Sequence, residues 1–340
     1  MAFDEHAPMD ELSAHLDRGW DMVQRGELAA ARIAAEQGLA LDEDSPEAHN
    51  LMGYVLAAEG HVEEALEHYQ RAIEADETFL EAMLNVADLL LGSLARPEEA
   101  LQVLEDAFEL CETDDERADT MLAMVEAYLQ MGRTEEADAV VEQLPQGPFE
   151  SPELAVQVGR VHLDRGHFEA AEKHLRQALE QAPMLADAHY YLGMVERMVG
   201  HDVEAMVSML RARELDAQGP AWPWSLPRDQ FEAVVAEAFR RLPKDVSERL
   251  DGAAVVVTDL PGAEVVAEGV DPRIPVMVDR VEDDGRVGTI FVYQRNIERY
   301  ANGRADVPDV IIGAVSDEVT AAAEDLEDDD FPPDSGTFDR

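Results

Sequence analysis

The chain has 340 residues, enough for two domains or for a solenoid with an appended module, and its 46% hydrophobic content is that of a folded protein. Asp and Glu outnumber Lys and Arg by 75 to 26, for a formal net charge of −49. Such a surface repels phosphate backbones and anionic headgroups, so nucleic acid and membrane are not expected partners; basic partners, or high solubility in a saline interior, are.

In chain order, 1–10 reads as a tail without the basic region and apolar core of a signal peptide. No run of about eighteen apolar residues occurs anywhere, and the expected compartment is the cytoplasm. From residue 11 a fixed period sets in. Gly19 and Gly53 are 34 residues apart, as are Gly26 and Gly60, and Ala31 and Ala65. The interval returns at Gly159 and Gly193, Gly166 and Gly200, Ala171 and Ala205, and Ala178 and Ala212. The first glycine of each set suits a helix crossed closely by a second. The second glycine suits a left-handed C-terminal cap, and the alanine five residues on belongs to the crossing helix. Six helix-turn-helix units follow at 11–44, 45–78, 79–112, 113–146, 151–183 and 184–218. The third and fourth are degenerate, with Ala87 and Val125 at the helix-A glycine. The lone cysteine, Cys111, can make no internal disulfide and is expected as a small buried hydrophobe. His162, His167 and His174 are expected at the surface of the fifth unit, on different faces.

This period and its small-residue signature resemble the tetratricopeptide repeat family. The resemblance implies a mainly α fold over 11–218, an α-solenoid whose stacked units share one core and whose helix-A residues line a concave groove that holds a protein or peptide. The groove positions would be Leu16, Trp20 and Val23; Asn50, Tyr54 and Ala57; and Leu84, Asp88 and Leu91. They continue with Leu122, Glu126 and Leu129; Val156, Arg160 and Leu163; and Tyr190, Met194 and Arg197. This lining is apolar with a few acids. It lacks the Lys/Asn/Arg cluster with which some relatives clamp a terminal carboxylate, so the expected partner is an apolar or basic segment. Trp20 and Tyr54 could contact a ligand or simply pack between helices. Ser13, Glu47, Glu81, Asp119, Glu153 and Asp187 fall in the first turn of helix A, where their charge or cap suits the helix dipole.

Composition changes after Gln218. The Trp- and Pro-containing stretch 219–227 reads as an ordered linker, its tryptophans docked on the last repeat. An amphipathic helix is expected at 228–242, strands at 253–258, 276–278 and 288–293, and a helix at 309–324 that ends in an acidic run. This small α+β module, 228–330, precedes a tail at 331–340. Helix, Val-rich strand, the run Ile290-Phe-Val-Tyr-Gln-Arg-Asn-Ile-Glu-Arg299 and a last helix together resemble a zincin-like metallopeptidase domain. That family carries His-Glu-x-x-His on its final helix, two zinc ligands around a water-activating glutamate. Here the matching window is Asp317-Glu-Val-Thr-Ala321. Only Glu318 of the motif remains, and Asp317 and Ala321 replace the histidines. All ten histidines lie at or before His201, so the module has no imidazole and no thiolate. No phosphate loop, nucleophile elbow or dinucleotide fingerprint occurs. The expectation is a scaffold with no catalytic residue, metal or cofactor, its module acting as cap or docking surface. The alternative is a divergent metal-dependent peptidase or hydrolase that uses Glu318 with Asp317 and carboxylate ligands. Separately, Asp317, Glu318, Glu324, Asp325 and 327–330 could loosely attract Ca²⁺ or Mg²⁺, though no spacing resembles an EF-hand loop.

Overall fold

The computed structural model describes residues 7–281 and 286–329, with side chains over 11–279 and 286–323. The tails and the side chains of Glu324, Asp325 and 327–330 lie outside these residues. The chain divides into two compact units, Met1–Gln181 and Ala182–Arg340.

The first unit consists of five antiparallel helix pairs: α1 (Ala7–Gln24) with α2 (Leu28–Leu41), α3 (Pro46–Ala58) with α4 (Val62–Ala75), and α5 (Leu80–Leu91) with α6 (Pro97–Leu110). They are followed by α7 (Asp114–Gln130) with α8 (Thr134–Val141), and α9 (Pro152–Asp164) with α10 (Phe168–Gln181). Local chemistry starts these helices where the period requires. The Ser45 and Ser151 hydroxyls accept from the backbone N–H of Ala48 and Leu154, each with proline following at the first helical position. Thr113 and Glu116 form a reciprocal capping box at the start of α7. The ends are set by glycine. Gly60 has φ +85°, the N–H of His61 reaches back to the Leu56 carbonyl at 2.8 Å, and a Cβ at Gly60 would meet nothing within 4 Å. Backbone conformation alone therefore selects this glycine.

The helix-A glycines are selected by space instead. A Cβ at Gly53 would lie 2.7 Å from the Tyr69 ring, and one at Gly159 would lie 2.8 Å from Leu175 Cγ; both neighbours are on the paired helix. Gly19 differs, because its close neighbour is Leu51 of the next pair. The alanines of the period, Ala31, Ala65, Ala100, Ala137 and Ala171, are fully buried. Small residues thus bring the backbones together, and Leu51, Val55, Tyr69 and Leu104 fill what remains. Cys111 is buried, with Sγ 3.3 Å from the Thr120 hydroxyl, and burial pushes its thiol up.

The second unit opens with another pair of the same kind, α11 (Ala186–Met198) and α12 (Asp202–Gln218). It continues through α13 (Arg228–Arg240), α14 (Lys244–Arg249), β1 (Ala254–Thr258), α15 (Ala263–Ala267), β2 (Val276–Val281), β3 (Val287–Tyr293), α16 (Gln294–Tyr300) and α17 (Val307–Asp329). The sheet order is β1-β3-β2, with β1 parallel and β2 antiparallel to β3. Val307, Ile311, Val315 and Val319 form one stripe of α17 at four-residue spacing. They pack with Phe231, Val235 and Ala238 of α13 and with Val276, Ile290 and Val292 of the sheet.

The sixth helix pair, though it continues the repeat, falls in the same compact unit as the α+β module. The cause is visible in the packing of α12 on α15 and in a buried charge cluster described below. The tryptophans, expected on the last repeat, divide: Trp224 and Leu226 pack on the module's core, whereas Trp222 is half exposed. The helices α14, α15 and α16 have five to seven residues, too short to display a helical period in sequence.

Candidate functional site

In the first unit, the helix-A positions sort into three groups. Leu16, Trp20, Val23, Ala57 and Leu84 are half-buried and rest on the core, and Leu122 is half-buried too. Tyr54, Asp88, Glu126, Leu129 and Arg160 are exposed. The Trp20 and Tyr54 rings meet edge to face with centroids 5.4 Å apart, so this pair both packs between helices and presents Tyr54 outward. Leu91, Val156 and Leu163 are buried and line nothing. Leu89–Leu91 and Leu154–Val156 are runs of three buried apolar residues, so the buried face of the helix is wide there and takes in Leu91 and Val156.

Asn50 is buried as well. Its amide donates to Glu81 at 3.0 Å and its carbonyl oxygen accepts from Asn85 at 2.9 Å, which makes a polar ladder between α3 and α5. The first-turn residues also have local work. Glu47 and Glu153 accept from the capping hydroxyls of Ser45 and Ser151. Burial, and after it the charge of Asp115, raises the Asp119 carboxyl. The exposed ionic side chains among these groove positions are thus Asp88, Glu126 and Arg160, beside apolar Tyr54 and Leu129.

Two of the three histidines of the fifth pair are not at the surface, and the third, His167, is half-buried. His162 and His174 are buried and their rings stack in parallel at 5.5 Å, with Phe149 stacked on the far side of His174 at 5.6 Å. The residue run that separates α8 from α9 supplies Phe149, so helix spacing alone could not place these rings. Burial holds both imidazoles down to about 4. A second pair, His49 and His68, sits with Nδ1 atoms 2.9 Å apart; burial lowers both, His68 to about 4. Among the described residues, no three His, Cys, Asp or Glu side chains gather as a metal-binding group.

In the second unit, the groove position Tyr190 is already engaged. Its hydroxyl donates to Asp271 at 2.8 Å and its ring lies 4.3 Å under the Arg273 guanidinium. Arg273, with only 5% of its side chain exposed, bonds Asp216 through Nε at 2.9 Å and Asp187 through Nη2 at 2.6 Å. Arg299 adds a contact to Asp216 at 2.8 Å. Burial opposes the Arg273 charge, but its bonds to Asp216 and Asp187 outweigh it and the group is raised. Sequence reading missed this cluster, because four ordinary charged residues far apart in the chain carry no local signal. Beside it lies a cavity of 440 Å³ lined by Asp187, Gly219, Trp222, Arg295, Glu298 and Arg299. Met194 is half-buried and Arg197 is exposed. On α17, Asp317 and Ala321 are exposed, whereas the Glu318 carboxylate accepts from the Val278 N–H at 2.9 Å. That bond falls where the β2–β3 register shifts, so Glu318 satisfies a backbone donor that the ladder leaves over.

Family models of the tetratricopeptide repeat match residues 46–79, 93–157 and 158–220, which take in α3, α4 and α6 to α12. No curated protein matches the chain. Among solved structures, PilF of Pseudomonas aeruginosa is similar over 67% of this chain and 99% of its own, with a TM-score of 0.50 and 21% identity. The protein TTC0263 of Thermus thermophilus aligns over 54% of this chain and 98% of its own, at 22% identity and a TM-score of 0.45. YrrB, described as having an unusual peptide-binding site, aligns over 54% and 92%, at 17% identity and a TM-score of 0.39. At these identities the likeness concerns the fold. No helix among the described residues is long and apolar enough to cross a membrane.

Proposed function

We propose that this protein is a non-enzymatic scaffold whose helix-A face holds a partner segment combining apolar and basic side chains. The observation that carries the reading is the face built around Tyr54. An aromatic side chain braced by Trp20 and an apolar Leu129 stand outward, with the acids Asp88 and Glu126 among the same set of positions. Rigid aromatics give contact area at little entropic cost, and unpaired acids attract lysine and arginine. Tetratricopeptide repeats bind protein or peptide partners, which supports the same conclusion, as does a net charge of −49.

The module 228–330, zincin-like in its element order but without zinc-ligand histidines, serves as a cap or docking surface. The bond from Val278 to Glu318 supports a structural task for the motif's surviving glutamate. The scaffold reading is tested by titrating a fluorescent extended peptide, with prolines set between its lysines and leucines so that it forms no helix, against the wild type, Tyr54→Ala and Asp88→Asn/Glu126→Gln. Weaker binding by Tyr54→Ala, and a loss of salt dependence in the double variant, are expected; unchanged binding in both overturns the reading. Metal analysis tests the module: stoichiometric zinc, with peptide hydrolysis abolished by Glu318→Gln, would make it an enzyme.

A further inference from the structure

The solvent side of the sixth helix pair is unlike that of the second to fifth pairs. Helix B of each repeat presents two outward positions flanking its buried periodic alanine. In the second to fifth repeats these are Glu63 and Glu67, Glu98 and Gln102, Glu135 and Ala139, and Glu169 and Lys173. In the sixth they are Val203 and Val207, exposed to 67% and 58%. The turn ahead of them changes in the same sense. Asp164 and Arg165 of the fifth repeat become Met198 and Val199, exposed to 63% and 41%. Val203 and Val207 stand one turn apart on α12, and Met198 and Val199 end α11 just ahead of the Gly200 turn. Four exposed apolar side chains thus fall around the α11–α12 turn and the first turns of α12.

This apolar patch adjoins a cavity. Val203 also lines a 490 Å³ pocket between α12 and α15, whose wall includes Met206, Val266 and Ala267. Asp202, Glu268 and Arg197 line it as well, and Glu204, next to Asp202 and Val203 in the chain, is exposed. Nothing about helix stability calls for valine at these positions, since β-branched residues are poorer helix formers than the Glu, Gln, Lys and Ala of the second to fifth repeats. Water contact at four apolar side chains is unfavourable unless something covers them.

We infer that this patch and pocket form a second docking surface, separate from the Tyr54 face, and that its occupant is a basic amphipathic helix of a partner protein. The exposed pair Val203 and Val207, with Met198 and Val199 at the end of α11, offers apolar contact to the anchors of such a helix, and the adjoining pocket takes its largest side chain. Charge selects the rest. The pocket lining has two acids, Asp202 and Glu268, to one base, Arg197, and a second copy of this chain would bring another −49 charges to the contact. A helix with lysine or arginine beside its apolar anchors satisfies both features.

The test uses a fluorescein-labelled helical peptide with leucines at i, i+3, i+4 and i+7 and lysines between, and the same peptide with glutamates for the lysines. Both are titrated against the full chain, Val203→Gln/Val207→Gln, and Tyr54→Ala, by anisotropy. The double substitution leaves the net charge unchanged and introduces polar residues of the kind other repeats carry there. The lysine peptide is expected to bind the full chain and Tyr54→Ala alike, and the glutamine variant at least about tenfold more weakly. Circular dichroism reports whether that variant keeps its helices. If it does not, Met198→Gln/Val199→Gln takes its place, with the same loss expected. Unchanged affinity in the patch variant, equal binding of the glutamate peptide, or no binding by the full chain overturns the inference. So does sedimentation of the full chain as a dimer that the patch variant dissociates, which would assign the surface to a second copy.

Discussion

The two units of this molecule are built on opposite principles. In 7–181 the partners are neighbours in sequence: each helix pairs with the next, and a glycine or alanine at fixed interval sets how closely they approach. In 182–329 the decisive bonds join distant residues. Tyr190 bonds Asp271 across 81 positions, Arg295 bonds the Asp216 carbonyl across 79, and Ser225 bonds Glu298 across 73. The first region is apolar and repetitive, so no single side chain is indispensable in principle. The second has charges withdrawn from water, whose compensation depends on a few exact partners. Repetition therefore distributes stability, and a unique polar network concentrates it.

Arg273→Leu is the strongest way to test that difference. It leaves Asp216, 8% exposed, with Arg299 as its remaining ion-pair partner, and should destabilise the second unit by about 3–5 kcal/mol. Hydrogen exchange is expected to show protection falling across 182–329 and persisting in 7–181. An equal fall in both regions would break the comparison.

The buried histidines show that the first unit is not uniformly apolar. An imidazole held down to about 4, against an ordinary value of 6.5, is protonated first in the unfolded chain. The contribution of His162 and His174 is therefore intact above about pH 6.5 and is lost as pH falls toward 4. His174→Phe, which keeps the stack on Phe149, should reduce that acid-induced loss by about 1–3 kcal/mol. Melting temperatures of both proteins between pH 7 and pH 4 measure it; parallel profiles would show that the stack does not titrate.

Gly159→Ala probes the close approach. With its Cβ 2.8 Å from Leu175 Cγ, the substitution should cost about 1–2 kcal/mol despite alanine's higher helix propensity. A stabilised variant in urea unfolding would mean that the pair separates without penalty. The smallest effect belongs to Glu318→Gln. The amide oxygen still accepts from Val278, so stability should change by no more than about 0.5 kcal/mol.

The repeats were legible because their signal is periodic and local. Gly26, Gly60, Gly166 and Gly200 recur where a helix must end in the left-handed region, and Gly53 and Gly159 where a neighbouring side chain leaves no room. The strands of the module were legible from their β-branched runs. The candidate faces were legible only in part. Tyr54, Asp88 and Glu126 stand outward as their spacing implies, whereas Asn50, Val156 and Leu163 are buried and Tyr190 is held by Asp271 and Arg273.

The sequence by itself thus determined the class of architecture, because a helix's end and its closest approach are decided by residues within one turn or one period. Only the tertiary structure decided where the chain divides, which histidines lose water and which acids stay exposed. Those outcomes depend on side chains brought together from far apart, as Arg273 and Asp216 are, and no local pattern encodes such a meeting.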